Sequence, residues 1–170
     1  MDEQGRERIA AIYSRQADTV YRVCYLYVKN AQDAADLTQS TFLRLLQSAP
    51  APAFESPSHE KAWLIVTAGN LCKDFLRHWW RRVGPLEDAE TAGAGQPSQQ
   101  DTALVREQLL ALPERYRLPL YLFYYEGYST GEIAGMLRKK ESTVRSLLHR
   151  GRERLRERCK ACLLYTSRCV

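Results

Sequence analysis

Apolar positions recur along the 170-residue chain with the spacing of helix faces rather than strands. In 33–47, "DAADLTQSTFLRLLQ", Ala34, Leu37, Thr41, Phe42, Leu45 and Leu46 form an apolar arc. Asp33, Asp36, Ser40, Leu43 and Gln47 form the exposed one, with Gln39 at its border. In 59–82, Leu64, Ala68, Leu71, Cys72, Phe75 and Trp79 share a predicted buried arc. Trp63, Thr67, Asn70, Asp74, Arg77 and Arg81 lie opposite. In 142–155 the buried arc is Val144, Leu147, Leu148, Gly151 and Leu155. No alternation lasts long enough to build a sheet. "YRVCYLYV", 21–28, is rich in strand formers, but its apolar run is continuous and its neighbours are helical, which predicts a buried helix. The pattern predicts an all-α protein.

One stretch breaks the periodicity strongly. Residues 84–101, "GPLEDAETAGAGQPSQQD", have too few large apolar groups to offset the entropy of ordering them. This reads as a flexible acidic linker between two small helical domains, 1–83 and 102–161. "APAFESPSHE", with two prolines, interrupts the first domain.

The second domain carries a turn signature. "STGE", 129–132, is a capping box, in which Ser129 accepts from the backbone amide three residues on and Glu132 reaches back. A short helix with Ile133, Ala134 and Leu137 on one face follows. "RKKE" makes a turn, and a second helix begins near Ser142. That is the helix-turn-helix pattern. The turn lacks glycine, and Lys140 is a poor N-cap. A cationic turn placed against phosphate offsets that cost. Ser142, Thr143, Arg145, Ser146, His149 and, at the margin, Arg150 face away from the buried arc. Their lengths and donors suit base edges and phosphates. The apolar face is consumed by the domain core, with Leu104, Leu109, Leu110, Leu112, Leu118, Leu120 and Leu122 as its counterpart, so membrane insertion is not expected.

Charge sharpens this. The net charge is +5, but 138–160 hold ten Lys or Arg against three acids, while 84–101 hold four acids and no Lys or Arg. The basic end suits an anionic partner. In the first domain, the acidic stripe with Leu43 in it suits a basic protein surface. Asn70 with Arg77 and Arg81 suits unpaired bases. Paired carboxylates without a nucleophile motif, metal set or phosphate loop do not make an enzyme, and no cofactor is expected. A zinc site needs two ligand pairs at regular spacing, which the five cysteines do not supply, so they read as reduced thiols. The N-terminus lacks the apolar core of a signal peptide, and no apolar run reaches a membrane span, which predicts a cytoplasmic protein.

Four stretches in this order, "DAADLTQSTFLRLL", "AWLIVTAGNLCKDFLR", "LPERYRLPLYLFYYEGYSTGEIAGML" and "STVRSLLHRGRERLR", resemble extracytoplasmic-function (ECF) RNA polymerase sigma factors of the sigma-70 family. The resemblance covers roughly 9–158. It implies that the first domain is region 2, with Asp33, Asp36, Gln39, Ser40 and Leu43 docking on core polymerase at the β′ clamp. Asn70, Asp74, Arg77, Arg81 and Arg82 then fall on the helix and loop that recognise the −10 element. The second domain is region 4, whose recognition helix reads the −35 element. The linker resembles the segment threading toward the active centre and RNA exit path. Core polymerase, including β, promoter DNA and an anti-sigma factor are the implied partners. Leu147 stands where the family often has Arg or Lys, which implies one phosphate contact fewer. A plain helix-turn-helix regulator with a sensory or dimerising N-terminal domain is the alternative, but it needs neither the "DAADLTQ" helix nor the Asn/Arg face. The end of the chain, 162–170, "CLLYTSRCV", reads as a non-native read-through tail, the translation of a sequencing-transposon end joined to its reverse complement.

Overall fold

The computed structural model describes residues 3–48, 52–83 and 106–166, with side chains over 5–48, 52–82 and 106–160. The acidic stretch 84–101 lies outside the described residues, as do 167–170 and the side chains of 162–166. Every described element is helical, and the chain divides into two compact units, 1–94 and 95–170.

In the first unit, α1 (Glu3–Val28), α2 (Ala31–Gln47) and α3 (Pro57–Val83) pack against one another. "YRVCYLYV" forms the last two turns of α1. The α1–α2 turn takes two residues. Lys29 closes α1 in the left-handed region (φ 54), and Asn30 caps α2 by accepting from the Asp33 amide at 2.9 Å. The apolar stripes of the three helices then meet. Ile12, Val20, Val23, Cys24 and Leu26 pack with Leu37, Phe42 and Leu45 and with Leu64, Ile65, Ala68 and Cys72. Thr38 and Thr41 are buried as well, because each hydroxyl donates back to a carbonyl one turn earlier, at 2.7 and 2.8 Å. Cys24 and Cys72 are both fully buried, and the hydrogen bond between their side chains pulls the Cys24 thiol pKa below its ordinary value. In α3, Pro57 takes the first position, where a missing N–H costs nothing, and Ser56 Oγ accepts from the His59 amide at 3.1 Å.

In the second unit, a helical segment at 106–110 (α4) precedes α5 (Glu114–Leu120), a π-helical turn (Tyr121–Tyr125), α6 (Thr130–Leu137) and α7 (Glu141–Thr166). Arg117 is buried, and its Nε donates to the Leu112 carbonyl at 2.6 Å, pinning the turn before α5. Desolvation lowers its pKa. Pro119 lies inside α5 and offers no N–H to the turn before it. The chain then widens, with the Glu126 amide bonded to the Tyr121 carbonyl five residues back. Leu112, Tyr116, Leu118, Leu120, Leu122, Ile133, Val144 and Leu148 form the core. α7 continues through the first five residues of the segment read as a tail.

Candidate nucleic-acid interface

The turn between α6 and α7 fixes the direction of α7. Both halves of the capping box form. Ser129 Oγ accepts from the Glu132 amide at 3.2 Å, and Glu132 Oε2 accepts from the Ser129 amide at 2.8 Å. Arg138 ends α6 in the left-handed region (φ 52, ψ 47), the conformation usually given to glycine, and the Lys139 amide bonds to the Ala134 carbonyl at 3.0 Å. This is how a turn without glycine is made. α7 begins at Glu141.

From there Val144, Leu148 and Gly151 are buried, and Leu147 and Leu155 are half-buried. Ser142, Thr143, Arg145, Ser146, His149 and Arg150 are all exposed. Ser142, Arg145, Ser146 and His149 form one stripe by helical spacing, flanked by Thr143 and Arg150. Ser146 Oγ bonds to the Ser142 carbonyl at 3.0 Å, and Arg145 Nη2 to Glu141 Oε1 at 2.7 Å. Arg152 extends the stripe and donates to the Tyr124 hydroxyl at 3.2 Å. The aromatic run Phe123, Tyr124 and Tyr125 is exposed beside it. It sits on the π-helical turn, where a regular wheel misassigns faces.

In the first unit, Asp36, Gln39, Ser40 and Leu43 share an exposed face of α2. Asp33, one turn before Asp36 on the same side of the helix, is half-buried. Asp36 accepts from Gln32 Nε2 at 3.1 Å. On α3, Asn70, Asp74, Arg77 and Arg81 line one exposed stripe, with Arg82 beside it. All five lie on one helix, since α3 runs through Val83 without a loop among them. Asp74 pairs with Arg77 at 3.3 Å.

Trp79 departs from expectation. The wheel puts it in the buried arc, yet it is 37% exposed, edge-to-face with the exposed Trp80 at 5.5 Å. The last turns of α3 extend past the residues that bury Leu64, Ala68 and Cys72. Leu71 and Phe75, also expected inside, are half-buried. Trp63 is half-buried against Phe54 at 5.8 Å, so it packs rather than standing free. Sequence reasoning also passed over a cleft of about 460 Å³, lined by Arg8, Ile12, Arg15, Phe54, Ser56 and Glu60 among others. It depends on the loop before α3 folding back on α1, which periodicity does not report. Among the described residues, no group of three or more His, Cys, Asp or Glu is placed to hold a metal ion.

Comparison with known proteins places both units. Residues 12–82 match the family "Sigma-70 region 2", and residues 102–155 match "Sigma-70, region 4". The chain is 32% identical over 152 residues to the RNA polymerase sigma factor CarQ of Myxococcus xanthus, covering 86% of each chain. The chain belongs to the sigma-70 family, among the ECF-type RNA polymerase sigma factors. It is also 36% identical to the ECF RNA polymerase sigma factor SigE of Mycolicibacterium smegmatis, over 84% of this chain. It spans 58% of that relative's length. For the ECF RNA polymerase sigma factor SigW of Bacillus subtilis the identity is 28%, over 92% of this chain and 89% of the relative. The fold matches that of the sigma factor RpoE of Bartonella quintana, solved in complex with the anti-sigma factor NepR. The TM-score is 0.74 at 20% identity, covering 94% of this chain and 98% of that one. The region 2 match contains α2 and the exposed stripe of α3; the region 4 match contains the capping box and the exposed Ser/Arg/His stripe of α7.

Proposed function

We propose that the chain is a promoter-specificity subunit of bacterial RNA polymerase. It binds core enzyme, brings it to promoters and helps open the duplex, and it carries out no reaction of its own. The exposed stripe of α2, with Asp36, Gln39, Ser40 and Leu43 and with Asp33 at its edge, docks on the β′ clamp of the core. Asn70, Asp74, Arg77, Arg81 and Arg82 take unpaired bases of the −10 element. Ser142, Thr143, Arg145, Ser146, His149 and Arg150 read the −35 element in the major groove. The acidic linker 84–101 joins domains 1–83 and 102–161 and runs along the core, β included.

One observation carries the reading. Each helix that matches a sigma region buries its apolar arc and leaves a polar stripe of the right sign exposed: acidic on α2, mixed and basic on α3, basic on α7. Family membership supports an anti-sigma factor as a further partner, and the solved RpoE–NepR complex shows that a protein of this fold accepts one. These partners put the chain at work in the cytoplasm. Among the described residues no helix is long and apolar enough to cross a membrane.

The test is transcription in vitro with core polymerase and a promoter library. Promoter-dependent initiation that requires the chain is expected, and its absence with folded protein refutes the proposal. Asp36→Arg is expected to abolish core binding while the circular dichroism spectrum stays that of the wild type. Unchanged core affinity would show that α2 is not the docking helix.

A further inference from the structure

A negative charge stands within the face assigned to DNA. Glu141 is the first residue of α7, exposed, next to Ser142 and one turn before Arg145. A carboxylate on a surface that approaches phosphates repels them, and a neutral residue there would bind nucleic acid more tightly. Its bonds give it a different role. Glu141 Oε1 accepts from Arg145 Nη2 at 2.7 Å and from Thr130 Oγ1 at 2.7 Å. Thr130 is the first residue of α6, directly after Ser129 of the capping box, so the anchor belongs to a fixed helix start. The two donors, Thr130 foremost, keep the carboxylate ionised.

We propose that Glu141 is a specificity-determining positioning residue: anchored by Thr130, it aims the Arg145 guanidinium at one base pair of the −35 element. This rests on α7 being the DNA-reading helix. An arginine without such a partner has many rotamers and settles on the nearest phosphate, which carries no sequence information. Bidentate reading of guanine needs two parallel N–H donors held in one plane against O6 and N7. The bond to Glu141 occupies one of the five guanidinium donors and leaves enough for such a pair. The repulsive charge and the fixed guanidinium then act together. They lower affinity for any sequence and raise the difference between the right base and the wrong ones. Both donors fall on Oε1, so direct reading of a cytosine amine through Oε2 is the competing role that the base preferences below separate from positioning.

The experiment uses holoenzyme assembled from the full chain and core polymerase, on a promoter selected from a random library. Each −35 position is replaced by all four bases, and competition binding gives the base preference. The variants are Glu141→Ala, Thr130→Val, Arg145→Ala and the double Glu141→Ala/Arg145→Ala, each checked by thermal melting. A guanine preference at one position is expected in the wild type and lost in Arg145→Ala. Glu141→Ala should reduce that preference about fivefold or more, the lower end of what a bidentate contact supplies, while affinity for scrambled DNA holds or rises. Thr130→Val should reduce it in the same direction, and the double variant should be no worse than Arg145→Ala. An unchanged preference in Glu141→Ala, with or without a lower melting temperature, overturns the proposal and leaves α7 as the reading helix. A cytosine preference lost in Glu141→Ala but kept in Arg145→Ala overturns it in favour of direct reading. A wild-type holoenzyme with no preference at any −35 position overturns the reading of α7 and the proposal with it.

Discussion

Gly151 of α7 lies directly against Leu120 of α5: a Cβ added at 151 would stand 3.0 Å from Leu120 Cδ1 and 3.2 Å from Tyr116 Cβ. Both neighbours are buried, and the Tyr116 Cβ cannot rotate away. This approach seats α7 on the rest of its unit. Gly151→Ala gains helix propensity of about 1 kcal/mol but overpacks a tight contact, which costs about 1–3 kcal/mol. The expected result is a net loss of about 1 kcal/mol, with Gly151→Val losing more. Urea unfolding of the chain measures it, and a more stable alanine variant would show that α5 yields freely.

A polar knot holds α1 to α3. The buried Glu60 carboxylate accepts from Arg15 Nη2 at 3.1 Å and from Gln16 Nε2 at 3.2 Å. Gln16 is itself only 7% exposed. Glu60→Leu strands that amide, at an expected cost of about 1–3 kcal/mol. Arg15→Ala removes a side chain that is 52% exposed and should cost less than about 1 kcal/mol. Equal losses in denaturant unfolding would mean that the arginine, not the amide, depends on Glu60.

Much of this architecture is legible in the amino-acid sequence. The arc Val144, Leu148 and Gly151 and the exposed stripe of α2 both follow from 3.6-residue periodicity, because one partner surface decides each face. The capping box followed from four residues of sequence. What periodicity missed has specific causes. Trp79 kept its place on the wheel but lost its partner, since α3 outruns the helices that cover it. Arg117 is buried because a carbonyl across a turn accepts from it, a contact that no local pattern encodes. The exposed Phe123–Tyr125 run sits where the helix widens, so a regular wheel misplaces it. Arg138 shows that the turn's missing glycine was a strained residue rather than a different turn.

That strain predicts a stabilising change. A non-glycine residue in the left-handed region costs about 1–2 kcal/mol, partly returned by glycine's greater entropy loss. Arg138→Gly should therefore stabilise the second unit by up to about 1 kcal/mol. If the cationic turn also lies on phosphate, the same variant lowers the salt dependence of DNA binding by about one counterion. Thermal unfolding and a salt titration read the two effects separately. A destabilised variant would mean that the Arg138 side chain makes up for its backbone.

The exposed stripe of α3 should separate promoter opening from core binding. Asn70→Ala and Arg81→Glu leave the buried arc untouched, since both residues are exposed. Core affinity should match the wild type, while permanganate reactivity of −10 thymines in the open complex falls at least several-fold, as lost stacking and polar contacts to unpaired bases imply. Normal opening by both variants would remove α3 from the −10 assignment.

Acid should loosen the second unit through the helix-turn-helix caps. The Glu132 pKa lies below its ordinary 4.5, first through the hydrogen bond from the Ser129 backbone and then through the Ser129 side chain. The group is therefore more acidic folded than unfolded. Its stabilisation is fully present above 4.5 and is lost as pH falls through the folded value. Glu141 is lowered in the same sense by Thr130 and Arg145, so it adds to the same acid limb. Glu132→Gln should melt at a lower temperature than the wild type at neutral pH, and the gap should close as pH drops below the carboxylate range. Glu132→Gln/Glu141→Gln should flatten the acid limb further. Melting curves followed by circular dichroism across that range decide it. A gap that stays constant with pH would mean that Glu132 acts through its shape and not through its charge.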